Sequence, residues 1–131
     1  MEEIIRQTLE MFKLELETLL IDIKTLEEIQ ISREKCGEIT QYVYLENTGL
    51  LKKELNGVNW VISNLSEDEF SDILDFNGFS KKIRDLIFFS KREANMPGAL
   101  ELLIVNRLEK VAKIMDLAED MAEDIAESGC Q

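Results

Sequence analysis

The chain has 131 residues, 45% of them hydrophobic and 32% charged, with only one Pro and six Gly. That balance describes a single folded domain over residues 1–131, able to bury a core without disulfide or metal staples, and excludes a disordered chain. A net charge of −12 repels phosphate backbones, so no nucleic-acid partner is expected. The sequence also has no histidine, which removes the commonest general base, the Ser-His and Cys-His nucleophile pairs and the usual zinc sites; a non-enzymatic role is expected.

Two cysteines, Cys36 and Cys130, are too few for a secreted disulfide framework. The opening Met-Glu-Glu lacks a basic leader, and no apolar run approaches the roughly 18–20 residues of a membrane span. A soluble, cytoplasmic chain with reduced thiols and no membrane insertion is the expectation.

Ile5, Leu9, Phe12, Leu16, Leu19, Ile23 and Leu26 are spaced 4-3-4-3-4-3, the apolar stripe of a packed helix. It predicts a helix over about residues 2–35, stopped by Gly37. Tyr44, Leu51, Leu55, Val58, Ile62 and Leu65 continue the same register with Thr48 in the vacant place, predicting a second helix over about residues 38–65. Gly49 and Gly57 either weaken that helix by up to ~1 kcal/mol each or mark close helix-helix approach.

Ser66-Glu67-Asp68-Glu69 reads as a capping box, opening a short helix to about Phe76. Asn77-Gly78 reads as a turn and Ser80 as the cap of a further helix, carrying Ile83, Leu86, Ile87 and Phe88 to about Asn95. Met96-Pro97 ends that helix and starts the last, since Pro is tolerated at a first helical position. Ile104, Leu108, Val111, Met115, Ala118, Ala122 and Ile125 again run 4-3-4-3-4-3, giving a helix over about residues 97–127. The predicted fold is all-α: an antiparallel bundle of three long helices with one or two shorter ones.

Trp60, Phe70, Phe76, Phe79, Phe88 and Phe89 gather on the middle helices, where helical spacing points to core. Phe88 and Phe89 are adjacent and cannot both face inward. One of them is expected to cover the short helix or to join a subunit contact. Self-association, as a homodimer, is therefore expected.

Local rules are broken in one place. Asp116, Glu119, Asp120, Glu123, Asp124 and Glu127 crowd the last turns of the final helix with no base among them. Their seven like-charge pairs at i,i+3 and i,i+4 cost roughly 1.5–3.5 kcal/mol before screening, and they sit at the negative end of the helix dipole. Three arrangements would relieve this. The basic stretch Lys81, Lys82, Arg84, Lys91 and Arg92 could pair with them; a divalent cation could be held by Asp116, Asp120 and Glu123; or the face could simply be solvated.

The segment 102–112, reading LLIVNRLEKVA, resembles the PhoU-family helix LLxxxRxLERIGD. Asp116-Leu117-Ala118-Glu119-Asp120-Met121-Ala122-Glu123 is similar to its continuation, and the junction at Met96-Pro97 is similar to that family's helix-Pro-helix turn. The resemblance implies a three-helix unit that binds metal through E-x-x-x-D motifs and acts as an accessory regulator of phosphate uptake. Here Lys113 stands four residues after Glu109, where the motif has Asp, and only one three-helix unit fits the length. The functional expectation is a regulatory or interaction module with a cation- or partner-binding face on the last helix. The alternative is a small structural homo-oligomer with no ligand site.

Overall fold

A computed structural model describes residues 3–128, with side chains as far as Asp116. Four helices follow one another: α1 (Glu3–Lys35), α2 (Gln41–Ser63), α3 (Phe76–Glu93) and α4 (Gly98–Ser128). Among the described residues there is no strand, so the fold is an all-α bundle.

Helix boundaries follow from local chemistry. α1 stops in a Schellman turn: Gly37 takes φ 72°, its N–H donates to Glu34 O at 3.1 Å, and the Glu38 N–H donates to Arg33 O at 2.9 Å. α2 begins three residues later than its apolar pattern suggested, because the Thr40 hydroxyl accepts the Val43 N–H at 3.2 Å and fixes the frame there.

The segment after α2 departs further from expectation. Ser66 accepts the Glu69 N–H at 3.3 Å, but only a 3-10 turn, Asp68–Phe70, follows. No helix reaches Phe76, because Asp75 captures the Gly78 N–H at 2.8 Å and starts α3 from an extended backbone. Asn77 and Gly78 therefore lie in the first turn of α3 and do not form a turn of their own. Ser80, expected as the cap, lies inside the helix. At the other end Asn95, a residue that tolerates left-handed backbone, takes φ 55° and turns the chain into α4.

One core joins all four helices. α1 contributes Ile5, Leu9, Phe12, Leu16, Leu19 and Ile23; α2 contributes Leu51, Val58 and Val61, with Leu65 just beyond its end; α3 contributes Phe79, Ile83 and Ile87; α4 contributes Leu100, Ile104, Leu108, Val111 and Met115. Phe79 ties three elements together. Its ring meets Phe12 edge-on at 6.1 Å, Phe70 at 5.2 Å and Phe76 at 6.0 Å.

The helices are staggered along the bundle axis. Asn47 of α2 donates to Gln30 of α1 at 2.9 Å, setting an antiparallel register. In that register Gly57 lies ten residues below Asn47, level with Leu20. Built at Gly57, a Cβ would meet Leu100 Cδ2 at 2.9 Å and Met96 Cγ at 3.3 Å, so the α3–α4 connection is pressed against α2 at this level. α4 then descends along α1, with Arg107 and Lys110 against Glu15 and Met115 beside Ile5 and Thr8. The four-helix section thus ends near Ile23. Above it α1 and α2 continue as a two-helix arm, residues 24–35 and 41–53, closed by the turn at Gly37.

Candidate functional site: the α1–α2 arm and the acidic end of α4

Glu15, Asp22, Leu26, Ile29 and Arg33 follow at intervals of 7-4-3-4 and share one face of α1. At the lower end α4 covers that face. Arg107 donates to Glu15 at 2.9 Å and reaches Asp22 at 3.4 Å, and Lys110 pairs with Glu15 at 2.9 Å. The Lys110 and Arg107 hydrogen bonds hold the Glu15 carboxyl below its ordinary pKa, against the raising effect of its burial. Higher up, where α4 has not yet begun, the same face carries Leu26 at 46% and Ile29 at 44% exposure. Leu26, read from its spacing as a core residue, is therefore half open to solvent: the seam continues, but its cover does not.

α2 repeats the pattern. Val43, Leu50 and Gly57 are spaced by heptads. Gly57 is buried beneath Met96 and Leu100, whereas Leu50 and Val43 above it are exposed. Leu26, Ile29, Val43 and Leu50 are all exposed along the arm, beside the groove that any two packed helices leave between them, and the Gln30–Asn47 hydrogen bond joins the two helices there. Glu54, where the groove runs into the four-helix section, is held above its usual pKa by burial. Glu46 and Lys53 stand on the outer rim of α2, both exposed.

At the opposite end, the expected cation ligand Asp116 is exposed on the rim of a cleft of about 280 Å³. Ile4, Ile5, Thr8, Leu74, Asp75, Phe76 and Met115 line the rest of it. The Asp75 carboxylate is engaged by Gly78 N–H, and the Thr8 hydroxyl donates to Ile4 O at 2.7 Å. Asp120 and Glu123 lie on α4, but their side chains fall outside the described residues. Among those described, no group of three carboxylates or thiols could hold a metal ion.

The basic stretch on α3 does not gather at Asp116. Lys82 pairs with Glu69 at 3.6 Å and lies 6.0 Å over the Phe70 ring; Lys91 pairs with Glu101; the Arg84 Nε donates to Ser80 Oγ at 3.4 Å. Phe88 and Phe89 are both exposed and stack edge-on at 6.0 Å, so neither covers the 3-10 turn, whose Phe70 is buried under Phe79 instead. Arg107, the arginine of the PhoU-like segment, fastens α4 to α1, while Glu109 of that segment faces solvent.

The arm was legible in part. Leu26, Val43 and Leu50 could be read as apolar, but their exposure depends on where α4 begins relative to α1, which no local pattern encodes. No protein-family model, curated protein or solved structure matches the chain. No described helix is long and apolar enough to cross a membrane.

Proposed function

We propose that the chain is a non-enzymatic helical interaction module whose working surface is the groove along the α1–α2 arm. One observation carries this reading: faces of α1 and α2 that are covered by α4 and by Met96 and Leu100 lower in the bundle continue upward as exposed Leu26, Ile29, Val43 and Leu50. Apolar surface arranged as the continuation of a core seam is suited to receive helices.

The reading is tested by the double change Leu26→Gln with Leu50→Gln, melted in dilute solution. Side chains that serve partners and not the isolated fold leave stability within about 0.5 kcal/mol on replacement. A loss of 2 kcal/mol or more, the scale of a core truncation, would mean that they hold the bundle together and that the arm is not a free surface.

A second reading follows from α4. The PhoU-like segment, together with Asp116 at the rim of the lower cleft beside Asp75, supports an accessory role in phosphate uptake with a divalent cation on Asp116, Asp120 and Glu123. It rests on one helix, and the first reading on two.

A further inference from the structure

We infer that the occupant of the groove is the arm of a second copy of this chain, laid antiparallel across a twofold axis to complete a second four-helix bundle. This inference rests on the interaction-module reading and names its partner.

Sterics select the direction. Each groove is closed at its lower end by its own α3–α4 hairpin, packed on the same faces of α1 and α2. Two arms pointing the same way would drive those hairpins into one another. Pointing opposite ways, each arm occupies the space vacated above the other's α4, and α1 lies on α1 and α2 on α2. Such a self-complementary contact is what a twofold axis requires.

Charge selects the same arrangement. The rim of α2 carries Lys53 toward its base and Glu46 toward its tip, both exposed. Antiparallel pairing sets Glu46 against Lys53 of the second copy. That pairing is centred between Gly49 and Leu50. The Gln30–Asn47 bond places Glu27 level with Leu50 and Glu28 level with Gly49, so the axis crosses α1 between Glu27 and Glu28. At that height Leu26 meets Ile29 of the second copy, and the two Leu50 side chains meet near the axis. Residues 24–56 hold five bases and six acids within a chain of net charge −12, so two copies meeting at the arm repel little there.

An arm of twelve residues in α1 spans about 18 Å, which sets a contact at the small end of specific interfaces and an affinity in the micromolar range. The experiment is sedimentation equilibrium from about 5 to 500 micromolar on the full chain, bracketing that range, with Glu46→Lys, Lys53→Glu and the two combined. Both residues are exposed and lie two helical turns apart in the same chain, too far to pair with each other. The expected result is a mass rising with concentration toward twice 15.1 kDa. Each single reversal weakens association about 5- to 30-fold, the double reversal restores it, and the effects shrink in high salt. Single reversals without effect, or a double reversal that fails to restore, would overturn the antiparallel geometry. Dissociation by Phe88→Ser with Phe89→Ser would overturn it too, by moving the interface to α3. A mass of 15.1 kDa at every concentration would overturn self-pairing, while the melting test of the arm would still decide the broader reading separately.

Discussion

Gly49 and Gly57 lie eight residues apart in α2, and the same substitution at the two should have opposite signs. Replacing an interior helical Gly by Ala stabilises a helix by about 0.5–1 kcal/mol, because Ala loses less backbone entropy on folding. At Gly49 a Cβ meets nothing within 4 Å, so Gly49→Ala should realise that gain. At Gly57 the Cβ would lie 2.9 Å from Leu100 Cδ2 and 3.3 Å from Met96 Cγ. Leu100 is fully buried and Met96 nearly so, leaving little room to yield; overpacking of this kind costs about 1–3 kcal/mol. The net effect at Gly57 is a loss of about 0–2 kcal/mol. For a domain of this size 1 kcal/mol moves the Tm by about 3–4 °C. Calorimetric melts should therefore show Gly49→Ala raising Tm by roughly 2–4 °C and Gly57→Ala lowering it by up to about 7 °C. Two equal increases would refute the close approach of the α3–α4 connection to α2, and with it the level assigned to the top of the four-helix section.

Leu16→Ala and Leu108→Ala, at positions sealed from solvent, should each cost about 2–5 kcal/mol in denaturant titrations, whereas Leu55→Ala, only partly buried against the core, should cost less. Glu15→Gln should cost about 1–2 kcal/mol at neutral pH by weakening the bonds from Arg107 and Lys110. Because the folded Glu15 pKa lies below its ordinary value of 4.5, that difference is present above pH 4.5 and fades as pH falls through the lowered value. Glu54 has the opposite sign: its pKa is raised by burial, so Glu54→Gln should stabilise at neutral pH, with the gain shrinking as pH falls below the raised value and gone below the ordinary 4.5. If Asp116, Asp120 and Glu123 hold a divalent cation, millimolar Mg²⁺, Mn²⁺ or Ca²⁺ should raise Tm beyond NaCl of equal ionic strength, and Asp116→Asn with Asp120→Asn should abolish the gain; no difference between the salts would sink the cation reading.

Apolar spacing located every long helix, because a 4-3 stripe reports on one helix at a time and needs no knowledge of its neighbours. Boundaries were legible where one residue decides them, as with the left-handed Gly37. They failed where two signals competed. Asn77-Gly78 has the composition of a turn, yet Asp75 just upstream supplies the cap that makes these residues helical, and the Ser66 cap yields only a 3-10 turn. The candidate site failed for a different reason. Leu26 belongs to the same stripe as Leu19 and Ile23, and only the level at which α4 starts makes one exposed and the others buried. Stagger is a property of four helices together. The acidic residues of α4, by contrast, were conspicuous in the sequence because like charges at i,i+4 conflict with the helix that carries them.

Stagger links those two features. Sliding α4 down along α1 uncovers apolar surface at one end and carries the acidic turns to the other, so the near-neutral arm and the most acidic stretch lie at opposite ends of the bundle. In an antiparallel pair of arms the two α4 C-terminal ends point away from each other along the assembly. Each four-helix section spans about 20 residues of α1, or roughly 30 Å, so those acidic ends are separated by well over the ~10 Å screening length at ordinary salt. Same-direction association would bring them together and add repulsion to a chain already carrying −12. The charge pattern of α4 therefore weighs against same-direction pairing and is compatible with the antiparallel pairing proposed above.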